Sequence, residues 1–141
     1  GEDPFAVTEV PSFHDGQGGA LRGPNTIRRF AAEGLSVVHL GDLGCQLTAE
    51  QVRALRPCDA LLVPVGGFYT IDAQGAKAVA EALSPRVIVP MHYRTETFGL
   101  REIDTVEPFL SLFSKELVRR YDANHLELTA DTPAQVAVLS V

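Results

Sequence analysis

The sequence predicts an α/β fold, and two kinds of segment carry the prediction. Apolar runs of the length and composition of buried strands recur at residues 35–40, 60–65 and 86–90. Segments with helical start and stop signals lie between them, at 48–55 and 72–83. Strands that alternate with helices in this order favour a layered α/β arrangement around one core.

Length and composition restrict the class of protein. A chain of 141 residues, 45% hydrophobic and 21% charged, is long enough for one domain with a substantial core. A net charge of −6 gives no basic surface for nucleic acid or for an anionic membrane, so we exclude both partners. The sequence has neither a signal-peptide pattern nor a membrane-length apolar run, and its two cysteines suit a reducing compartment. We therefore expect a cytoplasmic protein.

A hairpin is predicted in the N-terminal part of the chain. Loose alternation over residues 5–13 indicates a strand that leads into a glycine-rich loop. A second strand over 26–31 turns at Glu33-Gly34 and pairs with the apolar run at 35–40.

Capping signals and apolar spacing predict three helices. Thr48 and Gln51 form a capping-box pattern before the first helix, and Pro57 ends it. The second helix covers 72–83, with Thr70 as a candidate N-cap. A third helix is predicted from Asp104 onward, with closing strands at 126–128 and 136–141. The expected apolar stripe of this third helix is Val106, Phe109, Leu110, Phe113 and Leu117.

Three predicted strands end in a residue that can bind a metal ion. His14 follows the first strand, Asp42 follows the run at 35–40, and His92 follows the run at 86–90. Strand ends of one sheet can converge on a shared site, and imidazole and carboxylate donors suit zinc, manganese or iron. Each residue also has a purely structural explanation. Asp42 is then a turn residue between glycines, and the histidines are structural side chains.

The motifs around these residues resemble the metallo-β-lactamase superfamily, in particular its small lactonase-like metal-dependent hydrolases. The resemblance rests on FHD at 13–15, RGPN at 22–25, HLGDLG at 39–44, PVGGFYTID at 64–72 and PMHY at 90–93. It implies an αββα sandwich in which two metal ions, zinc or manganese, share a bridging carboxylate and a bridging hydroxide. By position, Asp42 resembles that bridging carboxylate, His14 a ligand of the first ion and His92 a ligand of the second.

Several neighbouring side chains are candidates for supporting roles. His39 is expected either to hydrogen-bond to a ligand carboxylate or to pack in the core, and Asp15 either orients His14 or caps the following loop. Candidate substrate-binding residues are Arg22, Asn25, Tyr69 and Tyr93. A solvated loop position remains an alternative for Arg22, and packing remains one for Tyr93. Cys45 stands where relatives often carry histidine.

The HxHxDH motif that is diagnostic of the family is absent from the chain. We therefore expect residues 1–141 to be the C-terminal part of a longer metallo-hydrolase, a portion of the sandwich that holds one ion or none by itself. The expected activity of the intact protein is metal-dependent hydrolysis of a small-molecule ester, lactone, phosphoester or amide. The alternative is a non-catalytic binding or scaffold module. A half-sandwich would expose an apolar sheet face, so we also expect a homo-oligomer.

Overall fold

A computed structural model of the chain describes residues 6–15, 17, 19, 22–67, 70–94 and 103–139. The described strands are β1 Ala6–Phe13, β2 Pro24–Ala32, β3 Leu35–His39, β4 Ala60–Pro64, β5 Val87–Met91, β6 Val118–Arg120 and β7 Gln135–Val138. The helices are α1 Ala49–Leu55, α2 Ala73–Leu83 and α3 Glu107–Leu110, followed by a 3₁₀ turn at Lys115–Leu117. The strands form one mixed sheet, so the α/β prediction is confirmed.

The direction of the strands brings their ends together. The sheet order is β1-β2-β3-β4-β5-β7-β6, in which β1, β2 and β3 are successively antiparallel and the remaining pairs are parallel. Because two antiparallel steps restore the original direction, β1 runs parallel to β3, β4 and β5. The loops that follow these four strands therefore leave from the same edge of the sheet.

The helices cover one face of the sheet. Val38, Leu61 and Val63 are fully buried on that face, where they pack in one cluster with Leu83 of α2 and Phe109 of α3. The opposite face carries the side chains of the intervening residues, because successive side chains of a strand point to opposite faces.

Over β1, β2 and β3, part of that opposite face remains accessible. Phe30 and Val37 lie side by side on it and are only partly buried, and their neighbour Val7 is 51% exposed. Among the described helices, none has the length and apolarity needed to cross a bilayer.

The helix starts follow the local signals closely. At α1 the Thr48 side chain accepts a hydrogen bond from the backbone N–H of Gln51 at 3.1 Å, and the Gln51 side chain accepts one from Thr48 at 2.8 Å. The predicted capping box is thus confirmed. At α2 the cap is Asp72, whose carboxylate accepts from the Gly75 N–H at 2.8 Å, so the expectation of Thr70 as the cap is wrong.

The predicted third helix is wrong beyond its first turn. Phe109 and Leu110 are buried in α3 as the apolar stripe requires, but the helix ends at Leu110. Residues 118–120 instead form β6, because their backbone groups pair with β7 in the sheet. That long-range pairing overrides the local helical pattern and leaves Leu117 39% exposed.

The predicted strand at 126–128 is also wrong. Leu126 and Leu128 pack beside Val37 and Val89 on the open face of the sheet, but their backbones join no ladder. The last strand, β7, begins at Gln135 and ends at Val138. The end of the predicted strand, residues 140–141, lies outside the described residues.

The two cysteines are expected to differ sharply in reactivity. Cys58 is 6% exposed, and its burial raises its pKa to about 12, whereas Cys45 is only partly buried. Since the thiolate is the nucleophile, a disulfide reagent at pH 8 should label one thiol per native chain quickly and the second only after unfolding in urea. Cys45→Ser should abolish the fast phase. Two equally fast thiols in the native protein would contradict this assignment.

Candidate metal centre

Three loops at the carboxyl edge of the sheet bring His14, Asp42 and His92 together. The Nε2 atom of His14 lies 3.4 Å from Oδ2 of Asp42. The Nε2 atom of His92 lies 3.1 Å from Oδ1 of the same carboxylate. The Asp42 carboxylate therefore lies between two imidazoles, each of which faces a different oxygen.

This donor set and its spacing fit metal ions on both sides of Asp42. Two ligand atoms that are each about 2.0–2.1 Å from a tetrahedral zinc ion lie about 3.3 Å apart. The two nitrogen–oxygen distances of 3.4 Å and 3.1 Å are close to that value. Within the described part of the chain, no three His, Cys, Asp or Glu side chains surround one point as a ready cage. Each ion would therefore need donors in addition to one imidazole and one carboxylate oxygen.

The centre is open to solvent on the His92 side and enclosed on the His14 side. The side chains of Asp42 and His92 are 51% and 44% exposed, and that of His14 is 22% exposed. The Nδ1 atom of His14 is buried and makes no hydrogen bond within the described structure. The polar contact of this side chain is therefore the one between Nε2 and Asp42.

Asn25 holds the loop that carries Asp42. Its Oδ1 accepts from the backbone N–H of Asp42 at 3.0 Å, and its Nδ2 donates to the carbonyl of Leu40 at 2.9 Å. Nδ2 also lies 3.0 Å from the Ser12 hydroxyl oxygen. These contacts tie β1, β2 and the loop after β3 together, so the amide of Asn25 positions Asp42. Substrate binding by Asn25 stays a prediction.

Asp15 organises the loop that follows His14. Its carboxylate is nearly fully buried and accepts backbone N–H bonds from Gln17 at 2.7 Å, Gly19 at 2.9 Å and Arg22 at 2.7 Å. Of the two roles expected for Asp15, the contacts favour the loop cap. The loop thereby leaves the end of β1 in a fixed direction, with His14 at its start.

His39 lies at the end of β3 on the open face of the sheet, paired with Arg28 on one side and Leu62 on the other. Its Nδ1 accepts from the backbone N–H of Gly41 at 3.1 Å, so the neutral ring carries its proton on Nε2. Burial, and then the charges of His92 and Arg28, lower the pKa of His39. The expected hydrogen bond to a ligand carboxylate is not among the contacts of the described residues.

The structure gives less detail about the remaining candidate site residues. Tyr93 is partly buried, packs against the main core and has its pKa raised by burial. The backbone of Arg22 belongs to the Asp15 loop. Tyr69 lies outside the described residues. The sulfur of Cys45 lies 3.8 Å from the carbonyl of Phe13, beside the loop that carries Asp42.

The fold and the donor set define a class: an α/β protein with histidine and aspartate donors gathered at one edge of a largely parallel sheet. Comparison with known families places the chain within that class. Residues 3–92 match the family described as the beta-lactamase superfamily domain, and the chain belongs to that superfamily.

Relatives of the chain carry names of metal-dependent enzymes. A UPF0173 metal-dependent hydrolase of Archaeoglobus fulgidus is 35% identical over 106 residues, which cover 71% of this chain and 45% of the relative. A solved structure from Thermotoga maritima, described as a candidate Zn-dependent hydrolase of the metallo-β-lactamase superfamily, is 41% identical with a TM-score of 0.80. The match covers 94% of this chain and 63% of that one.

A more distant structure has the same fold. Igni18, a metallo hydrolase of Ignicoccus hospitalis, is 28% identical with a TM-score of 0.59 over 77% of this chain and 45% of its own. The chain thus spans less than half the length of the A. fulgidus relative and less than two thirds of the T. maritima protein.

Proposed function

We propose that the natural protein containing this chain is a metal-dependent hydrolase that acts on a small ester, lactone, phosphoester or amide. The observation that carries the proposal is the Asp42 carboxylate between the Nε2 atoms of His14 and His92. The names of the relatives support a metal-dependent hydrolase of this superfamily.

Some residues of this chain would bind the metal ions, and others hold the loops that carry those ligands. His14 with Oδ2 of Asp42 would hold one ion, and His92 with Oδ1 would hold a second. Zinc or manganese bound there would supply hydroxide at neutral pH and would polarise the carbonyl or phosphoryl oxygen of the substrate. Asn25 fixes the Asp42 loop and Asp15 fixes the loop after His14, so these two donors are held by the protein itself.

His39 contributes a neutral neighbour to this cationic site. Burial lowers the pKa of His39 and so favours the uncharged ring, and the bond to Gly41 leaves the proton of that ring on Nε2. An uncharged ring adds no positive charge that would oppose metal binding.

The experiment is metal analysis of the purified natural protein, followed by hydrolysis assays on p-nitrophenyl acetate, bis(p-nitrophenyl) phosphate and a γ-lactone. We expect bound zinc or manganese, activity on at least one class, loss of activity with 1,10-phenanthroline and recovery when the metal is returned. Asp131→Asn, an exposed carboxylate before the amino end of β7, is the matched control and should retain metal and activity. A protein without bound metal or hydrolytic activity would favour the scaffold alternative and overturn the proposal.

A further inference from the structure

We propose that Gly44 and Gly66 are positioning residues of the metal centre. At each position the missing side chain lets a neighbouring loop pass close enough to carry a histidine to Asp42. This inference rests on the metal centre proposed above. It concerns the geometry of the loops, which can also be tested without metal.

Gly66 lies against the backbone of His92. A Cβ atom at position 66 would fall 2.2 Å from the carbonyl oxygen of His92 and 3.1 Å from Cβ of Ile103. The adjacent Val65 N–H donates to the carbonyl of Met91 at 3.0 Å, and the Gly66 carbonyl accepts from the Asp104 N–H at 2.7 Å. The loop after β4 is therefore hydrogen-bonded on both sides and cannot move away from His92 without breaking these bonds.

The backbone of His92 is itself in an unusual conformation. Its φ of +53° lies in the left-handed region, which non-glycine residues rarely adopt. Such a conformation persists only where the surroundings impose it. The close approach of Gly66 allows this turn, and the turn carries Nε2 of His92 to Oδ1 of Asp42.

Gly44 has the same relation to His14. A Cβ atom at position 44 would fall 2.2 Å from both the carbonyl carbon and the carbonyl oxygen of His14, and 2.4 Å from the backbone nitrogen of Asp15. The Gly44 N–H donates to the carbonyl of Phe13 at 2.9 Å, which holds the two loops together. Gly44 is two residues from Asp42, so this contact sets the spacing between the carboxylate and His14.

Gly44 and Gly66 are both required because there is no space for a Cβ atom, and their backbone conformation is not the reason. Neither glycine is among the residues with positive φ, so an L-residue could adopt either backbone conformation. Gly34 provides the opposite case, because its φ is +77° but a Cβ there would meet nothing within 4 Å. It lies in the turn between β2 and β3, at the edge of the sheet away from the metal centre. Gly34→Ala is therefore a control that strains the backbone and leaves the site untouched.

The test compares zinc affinity and Tm in the natural protein and its variants, with zinc competed against a chromophoric chelator. We expect Gly66→Ala and Gly44→Ala to weaken zinc binding by about 10- to 100-fold in the folded protein, the range found when residues that orient metal ligands are replaced. Gly34→Ala should lower Tm and keep the zinc affinity within about twofold, because its strain acts away from the ligands. Unchanged zinc affinity in folded Gly66→Ala would overturn the proposal.

A double variant separates this inference from the proposed function. His92→Gly keeps the backbone carbonyl of position 92 but lets this residue adopt backbone conformations that are closed to histidine, so the carbonyl can turn away from a Cβ at position 66. Gly66→Ala should therefore cost less Tm in the His92→Gly background than alone. Should Gly66→Ala alone fail to fold, recovery of folded protein in the double variant supports the proposal, and failure of both overturns it. If the parent protein binds no zinc, the proposed function fails. The difference between the Tm cost of Gly66→Ala alone and its cost in the His92→Gly background still tests whether Gly66 positions His92.

Discussion

Replacing Asp42 with asparagine is expected to cost the natural protein its metal and nearly all its activity. The amide has no negative charge and only one oxygen, so it cannot serve two ions on opposite sides as the carboxylate can. A bound ion contributes several kcal/mol of transition-state stabilisation. Since about 1.4 kcal/mol corresponds to a factor of ten, kcat/KM should fall by about 10³-fold. Metal content per folded chain, measured beside kcat/KM, checks both effects.

The fold should survive this substitution. The Asp42 side chain is 51% exposed, and the loop is held through its backbone N–H by Asn25 at 3.0 Å. We expect the Tm of the metal-free protein to change by no more than about 2 °C, as is usual for exposed positions. Wild-type metal content and activity in Asp42→Asn would show that this carboxylate is no ligand.

Replacing Phe109 with alanine is expected to have the largest effect on stability among truncations of core side chains. Phe109 is completely buried in α3, packs in the main core and stacks at a tilt on Phe113 with ring centroids 5.0 Å apart. Truncation of such a ring leaves a cavity and costs about 3–5 kcal/mol in the free energy of unfolding. At about 3–4 °C for each kcal/mol in a domain of this size, Tm should fall by about 10–20 °C. Urea unfolding followed by circular dichroism measures the change.

Leu117→Ala is the matched control for Phe109. It removes an apolar side chain from the same segment, but one that is 39% exposed, and should cost less than about 1 kcal/mol. Equal losses in the two variants would mean that α3 does not anchor residues 103–120 in the core.

The central strands and the capping box of α1 could be predicted from the sequence because their signals are local. The apolar run before Asp42 and the pair Thr48 and Gln51 specify their own conformation within a few residues. His14, Asp42 and His92 could each be recognised as a strand-end residue. Their approach to one another depends on β1 and β3 running in the same direction, which the sequence order alone does not establish.

The features that could not be predicted depend on partners distant in the chain. β6 replaces the expected helix because residues 118–120 pair with residues 136–138. The hydrogen bonds by which Asn25 holds the Asp42 loop join it to groups 15 and 17 residues further on. Gly44 and Gly66 look like ordinary strand terminators in the sequence, and only the tertiary structure shows which backbone each approaches.

In the proposed site, Asp42 is shared between ions held by His14 and His92. The most direct measurement is anomalous diffraction at the zinc edge from crystals of the natural protein grown with zinc. We expect two peaks, each about 2.0–2.2 Å from one histidine Nε2 and one Asp42 oxygen: His14 with Oδ2, and His92 with Oδ1. Zinc bound only elsewhere, or a site from which Asp42 is absent, would contradict this expectation.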